Sequence, residues 1–178
     1  MPNLDPADLV AFLRSLRAIR EFRPDPIPQQ VVDDILEVGR WSGSAVNRQP
    51  WEFVVIRSRG TLDALAGIDG SAGHLAGASL GIVLVMAGKN VTQETYDEGR
   101  LSERMMLAAA AHGVGSSIGW FRSSGAERVK DLLGISAERT VRTALSFGYP
   151  DEAARSARPK RDQARKPLAQ LVHDERYA

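Results

Sequence analysis

A chain of 178 residues is long enough for one substantial core and too short for two comfortable ones. Its 43% hydrophobic and 25% charged content is that of an ordinary globular domain, and a net charge of +1 gives no compositional basis for a nucleic-acid surface. With no cysteine, disulfides, zinc fingers and thiol nucleophiles are excluded.

The segment Met1 to Leu13 carries Asp5 and Asp8 and has no basic start before an apolar run, so no signal peptide is predicted. Asp5 or Asp8 caps a first helix whose apolar face runs through Leu9, Phe12, Leu13 and Leu16. Arg17 to Phe22 continues from it, and Pro24, Pro26 and Pro28 then force an extended connection. A second helix is predicted from Gln29 to Trp41, with Val31, Val32, Ile35, Leu36 and Val38 as its stripe. A small-residue loop, Ser42 to Gln49, leads into a strand over Trp51 to Arg57. A short helix near Leu62 to Ala66 gives way to a flexible, glycine-rich segment, Gly67 to Gly73. Leu80 to Ala87 is apolar on both faces, as a central strand should be. The apolar run around it is about half the length a membrane helix needs, which predicts a soluble, cytoplasmic protein. A long helix follows from Gln93 to His112, ended by Gly113. Gly115 to Phe121 is a short strand or turn, Ala126 to Leu133 a helix, and Thr140 to Tyr149 a last strand. The tail, 150–178, is charged and lacks a core stripe, so it is either disordered or wrapped around a partner. The alternation predicts one α+β domain, an α/β sandwich spanning 1–178 with 150–178 as an arm.

Common catalytic signatures are missing. Gly88-Lys89 is followed by asparagine, so there is no phosphate loop, and Gly113, Gly115 and Gly119 miss the dinucleotide spacing. The three histidines, His74, His112 and His173, lie far apart in the chain and show no metal-ligand spacing. His112 reads as a helix C-terminal cation. No catalytic side chain and no metal site are therefore assigned, and an enzyme built this way takes its chemistry from a cofactor.

Two segments carry more information. Arg17-Ala18-Ile19-Arg20-Glu21-Phe22 places Arg17 and Arg20 three apart; on a helical turn they share a face and either grip one phosphate or form a solvated basic patch. In Ser42 to Trp51, small residues permit close approach, while Asn47 and Gln49 each offer a donor and an acceptor to the edge of a heterocycle; a plain polar loop is the alternative.

Together these segments resemble the nitroreductase family, in which an "RSVRxF" motif, a "PVP" turn and an "APSxxNxQPW" loop follow in this order. Arg17, Arg20 and Phe22, then Pro26-Ile27-Pro28, then Ser44, Asn47, Gln49, Pro50 and Trp51 match at the expected separations. Asp97-Glu98-Gly99, Ala111-His112-Gly113-Val114-Gly115, Gly148-Tyr149-Pro150 and Arg165-Lys166-Pro167-Leu168 agree with the rest of the family pattern. The resemblance implies a mostly antiparallel central sheet flanked by helices, FMN between two subunits, and a tail swapped onto the partner. It implies that Arg17, Arg20, Arg165 and Lys166 hold phosphate and ribityl oxygens, that position 18 lies at the phosphate, and that Ser44, Asn47 and Gln49 come from the other chain. Ser117, Ile118 and Gly119 would meet the flavin ring through backbone amides. NADH or NADPH would reduce the flavin, and a nitroaromatic, quinone or similar small molecule would reoxidise it in a two-step exchange at one site. Dehalogenation, oxidation of a cyclic or peptide substrate, and flavin sensing or storage without turnover are the alternatives.

Three departures from the family pattern stand out. Leu16 replaces a frequent leading arginine and Ala18 a phosphate-binding serine, which predicts a weaker phosphate grip; Gly43 replaces a loop proline. The chain also lacks the long insertion some members place over the site, which predicts an open, permissive pocket. His74 stands where some members have a lysine facing the ring, and is expected to be a surface histidine.

Overall fold

The apolar run of the second predicted strand organises the fold. In the computed structural model, which describes residues 5–157 and 165–177, Leu80–Met86 (β2) is buried along its whole length. It pairs antiparallel with Trp51–Ile56 (β1) on one side and with Thr140–Gly148 (β4) on the other; Gly115–Trp120 (β3) completes the sheet beside β4. The order is β1-β2-β4-β3, so β1 and β3 are opposite edges. All three pairings are antiparallel, in keeping with the expected α+β sandwich.

Alternation along the strands gives the sheet two apolar faces. On one, Leu80, Ile82, Leu84 and Met86 of β2 and Leu145 and Phe147 of β4 pack against Gln29–Arg40 (α2) and Val91–Ala111 (α4). On the other, Val83, Val85, Val141 and Ala144 meet Arg59–Ala66 (α3) and Ser123–Leu133 (α5). Pro6–Ser15 (α1) precedes this frame and Glu152–Ser156 (α6) follows it. Each cluster joins residues far apart in sequence, and their burial is the main stabilising contribution.

Caps explain where the helices start. Asp5 accepts the Ala7 N–H, which selects it over Asp8 as the α1 cap. Ser58 accepts the Thr61 N–H and starts α3 at Arg59, earlier than the apolar spacing indicates. Asn90 accepts the Gln93 N–H, so α4 begins at Val91, two residues before the predicted start. His112, the C-cap of α4, sets its Nε2 3.0 Å from Asp34 of α2, tying the two helices together at the negative end of the longer one.

Two expectations are corrected. The glycine-rich segment is anchored: Gly70 bridges Phe121, Ser71 exchanges bonds with Trp120, and Gly73–Gly77 forms a 3-10 turn. The helix also does not run on through Arg17 to Phe22. It stops at Ser15, Leu16 turns to ψ 129°, and the chain continues extended along the outer edge of β3. In the tail, α6 and a 3-10 turn at Leu168–Gln170 are formed. Residues 1–4, 158–164 and 178, which include the start of the Met1 to Leu13 segment and part of the arm, lie outside the described residues.

Candidate functional site

The arginine segment is held on β3 by a glycine bed. Ala18 bridges Ser116 in parallel, the Ile19 N–H donates to the Ser116 carbonyl at 2.8 Å, and Phe22 bridges Pro150. Beneath it, Gly115 and Gly148 are direct cross-strand partners. A Cβ on Gly115 would stand 2.8 Å from the Ile19 side chain, and one on Gly148 equally close to Phe22. Bare backbone at these two positions lets the segment lie flat.

Because the segment is extended, Arg17 and Arg20 do not share a helical face. Arg17 turns back toward α1, where its Nη1 donates to the carbonyls of Arg14 (2.8 Å) and Leu16 (2.7 Å). These are end carbonyls of the helix, lacking helical partners, so the guanidinium is fixed by backbone. It lines a groove of about 830 Å³ with Arg14, Leu16, Ala18, Glu103, Met106 and Arg165. Arg17 and Arg165, from opposite ends of the chain, thus line one groove; Lys166 is exposed next to Arg165 and is not part of the groove lining. Arg20 goes elsewhere: its charge acts on His74.

On the outer edge of strand β3 the amide of Ile118 is left open. Amide groups alternate between the two sides of a strand. Phe121 N–H donates to Arg142 of β4, whereas the Ser116 carbonyl and both backbone groups of Trp120 bond outward, to Ile19 and Ser71. Ile118, midway, therefore points its N–H to the open edge, where no hydrogen-bond acceptor among the described residues meets it. Of the three predicted contacts, only Ile118 presents a free amide; those of Ser117 and Gly119 are turned toward Ser146 and Ala144.

Behind this edge lies His74, which is no surface histidine. Its Nδ1 is 2.7 Å from the Ser146 hydroxyl, itself 3.5 Å from the Ser117 carbonyl. Its Nε2 is buried without a hydrogen-bond partner and lies 3.1 Å from where a Gly119 Cβ would be, so the ring occupies space that only glycine leaves. Burial pushes the imidazole below its ordinary value; the Ile118 carbonyl opposes this, and the Arg20 charge adds to it. Neutral imidazole is thereby favoured. The hydroxyls of Ser116 and Ser117 are also buried without partners, so three polar side chains with unused hydrogen-bonding capacity gather along β3. Buried polar atoms left this way are uncommon away from ligand sites.

The loop before β1 is the third part. Ala45–Asn47 forms a 3-10 turn in which Val46 and Asn47, and then Gln49, take left-handed φ values of 45°, 54° and 48°. Asparagine tolerates this, but a β-branched valine does not, and such strain concentrates at functional loops. The Ser44 hydroxyl accepts the Gln49 N–H at 2.8 Å and the Gln49 amide donates to the Asn47 carbonyl at 3.3 Å, which closes the loop on itself. At Gly43 the missing side chain leaves room for the Arg100 guanidinium. Within one chain this loop does not join the arginines or Ile118: it enters β1, three strand spacings, or roughly 14 Å, from β3.

A buried acidic layer braces these parts, and its role is not visible in the sequence. Glu94 accepts the N–H groups of Gly88, Lys89 and Asn90 at 2.8 to 3.1 Å, and Glu98 receives two bonds from Arg142, at 3.0 and 2.7 Å. Asp97 is buried beside Arg100, 3.7 Å away. Glu98 thus ties α4 to β4, Glu94 closes the turn that leads into α4, and Asp97 pairs within α4. Acidic residues on a helix read as surface, and for Glu98 the arginine that pairs with it stands on a strand far along the chain.

A profile of the Nitroreductase family matches residues 13–87. A protein of Archaeoglobus fulgidus provisionally named NADH dehydrogenase/NAD(P)H nitroreductase is 31% identical over 143 residues, covering 76% of this chain and 82% of the relative. The chain belongs to the nitroreductase family. Among its other relatives, the NADH dehydrogenase of Thermus thermophilus is 28% identical, with 85% of this chain and 90% of the relative covered. A provisionally named nitroreductase from Desulfovibrio desulfuricans, solved in complex with FMN, superposes with a TM-score of 0.79 at 26% identity, covering 99% of this chain and 100% of that one. An FMN-dependent nitroreductase of Clostridium difficile shares the fold at 21% identity, TM-score 0.79, over 94% and 99% of the two chains.

Proposed function

We propose that this protein is an FMN-dependent oxidoreductase that carries electrons from NADH or NADPH to a small electron-poor acceptor, such as a nitroaromatic or a quinone. The observation that carries the reading is the arrangement along β3: cations from both ends of the chain meet in one groove, and an unpaired edge amide stands near them. That combination fits a phosphate joined to a ring that gains negative charge. The relatives named for NAD(P)H-dependent reduction and the FMN-bound structural neighbour support it.

In this reading Arg17 and Arg165, with Lys166 beside them, hold the phosphate through charge-assisted bonds, and Ala18 leaves that side of the pocket without a hydroxyl. The Ile118 N–H, on the strand of Ser117 and Gly119, donates to the flavin ring, and Arg20 and His74 lie at the same edge. When bound, FMN would supply the redox chemistry, namely hydride acceptance and electron donation. No side chain is assigned as acid or base.

The working unit is a homodimer. Leu9, Val10 and Leu13 on α1, and Leu168, Leu171, Val172 and Tyr177 in the arm, are exposed apolar residues grouped at the two ends of the chain. A two-fold interface would cover them, and would bring Ser44, Asn47 and Gln49 of one subunit to the β3 edge of the other. We read 1–178 as one FMN-binding domain with 150–178 as an arm. Among the described residues no helix is long and apolar enough to cross a membrane, and we place the protein in the cytoplasm.

The test is a visible spectrum after FMN saturation and gel filtration, followed by oxidation of NADH and NADPH with a quinone. A flavin band co-eluting with a dimer that turns over supports the reading. A flavin-loaded dimer without turnover would make this a flavin-binding protein, and no retained flavin would overturn both.

A further inference from the structure

We propose that Arg14 is a third phosphate-binding cation, replacing the arginine that Leu16 displaces; the inference rests on the FMN reading above. Leu16 is turned partly into the core and packs against the cluster that includes Met106 and Val114. A hydrophobic side chain here strengthens the seat of α1 and removes a charge from the groove. Arg14, two residues earlier on the last turn of α1, lines that same groove with Arg17 and Arg165.

Two features make Arg14 more than a solvated surface charge. First, its backbone carbonyl accepts the Arg17 Nη1 at 2.8 Å, so the two residues are coupled and the Arg17 guanidinium is held beside this turn. Second, among the described residues Arg14, Arg17 and Arg165 form no salt bridge, although many other arginines of this chain do. Three unpaired guanidinium groups along one groove repel one another, and a dianion relieves that repulsion. Among the described residues, Glu103 is the one carboxylate lining the groove. It leaves a net charge of about +2, matched to a phosphate monoester.

The groove is open to solvent, so the gain from Arg14 is well below that of a buried charge pair and salt-dependent. The experiment strips flavin from the full-length protein and titrates it with FMN and with riboflavin, following quenching of flavin fluorescence. It compares wild type, Arg14→Gln, Arg14→Lys and Glu103→Gln. The expectation is a roughly tenfold weaker FMN affinity for Arg14→Gln, with riboflavin affinity within about twofold, partial recovery in Arg14→Lys, and tighter FMN binding in Glu103→Gln. An Arg14→Gln protein that binds FMN as wild type does, or that loses FMN and riboflavin equally, overturns the inference. Wild-type protein that binds neither flavin overturns the FMN reading instead, so the two failures are distinguishable.

Discussion

Replacing Gly115 by alanine should lift the arginine segment off the sheet. The new Cβ would lie 2.8 Å from both Cβ and Cγ2 of Ile19 and 3.0 Å from its Cγ1. Carbon atoms pack best at about 3.5–4.0 Å, so three contacts are short by roughly 0.5 Å or more. Ile19 cannot rotate clear. It is β-branched and stiff at χ1, it is buried, and its N–H is tied to the Ser116 carbonyl. The backbone must move, and overpacking of this kind costs about 1–3 kcal/mol. At roughly 2–4 °C per kcal/mol for a chain of this size, Tm should fall by about 4–8 °C at mid-range.

The assay is a double-mutant cycle of thermal unfolding with Ile19→Ala, which deletes two of the three crowding atoms and alone costs about 2–5 kcal/mol. The double variant should melt above the sum of the two single effects, with a coupling of about 1 kcal/mol or more. Additive losses would refute the reasoning. FMN retention is the second readout: it should drop in Gly115→Ala, because Arg17 and Arg20 flank Ile19, and return in part in the double variant.

Two further outcomes are expected. Arg142→Met strands the buried Glu98 carboxylate and should cost about 3–5 kcal/mol in urea unfolding, while adding Glu98→Leu should recover much of the loss; equal stabilities for the single and double variants would show that the pair is not buried as a unit. His74, with its folded-state value lowered by burial, binds its proton more readily in the unfolded chain, so its stabilising contribution is complete above its ordinary value of 6.5 and is lost as pH falls from there toward the folded value. Wild-type Tm should therefore decline below pH 6.5 more steeply than that of His74→Gln, and parallel profiles would sink this assignment.

The parts of the fold legible in the sequence are those set by local pattern. Leu80–Met86 is uniformly apolar and is the fully buried β2; the stripe of Val32 and Ile35 is the buried face of α2. What local pattern misses is set by distant partners. Arg17 to Phe22 has nothing against a helix, and its extended form comes from bonds to the edge of β3, about a hundred residues on. His74 sits among glycines and small residues, a surface context, and is buried by Ser146 across the sheet. α5 begins at Ser123 behind Arg122, which makes no side-chain cap, so no signature marks its start. The site divides the same way. Family pattern points to Arg17, Arg165 and β3, whereas the glycine bed, the open Ile118 amide and the Glu98–Arg142 brace emerge only from the packing.

The strand order bears on why such a site would need two chains. Residues suited to ligand contact lie on opposite edges, with Ile118 on β3 and the Ser44 to Gln49 loop before β1, and β2 and β4 between them are filled with core side chains. Closing that gap within one chain would mean opening the most buried strand of the sheet. An isologous interface closes it without cost to the core, because a two-fold axis sets each chain's loop against the other's β3 edge. The strained loop fits this view: Val46 is 81% exposed, held at an unfavourable φ, with no core role in its own chain. Strain kept at such a position is explained if the loop is shaped for a surface outside its own subunit.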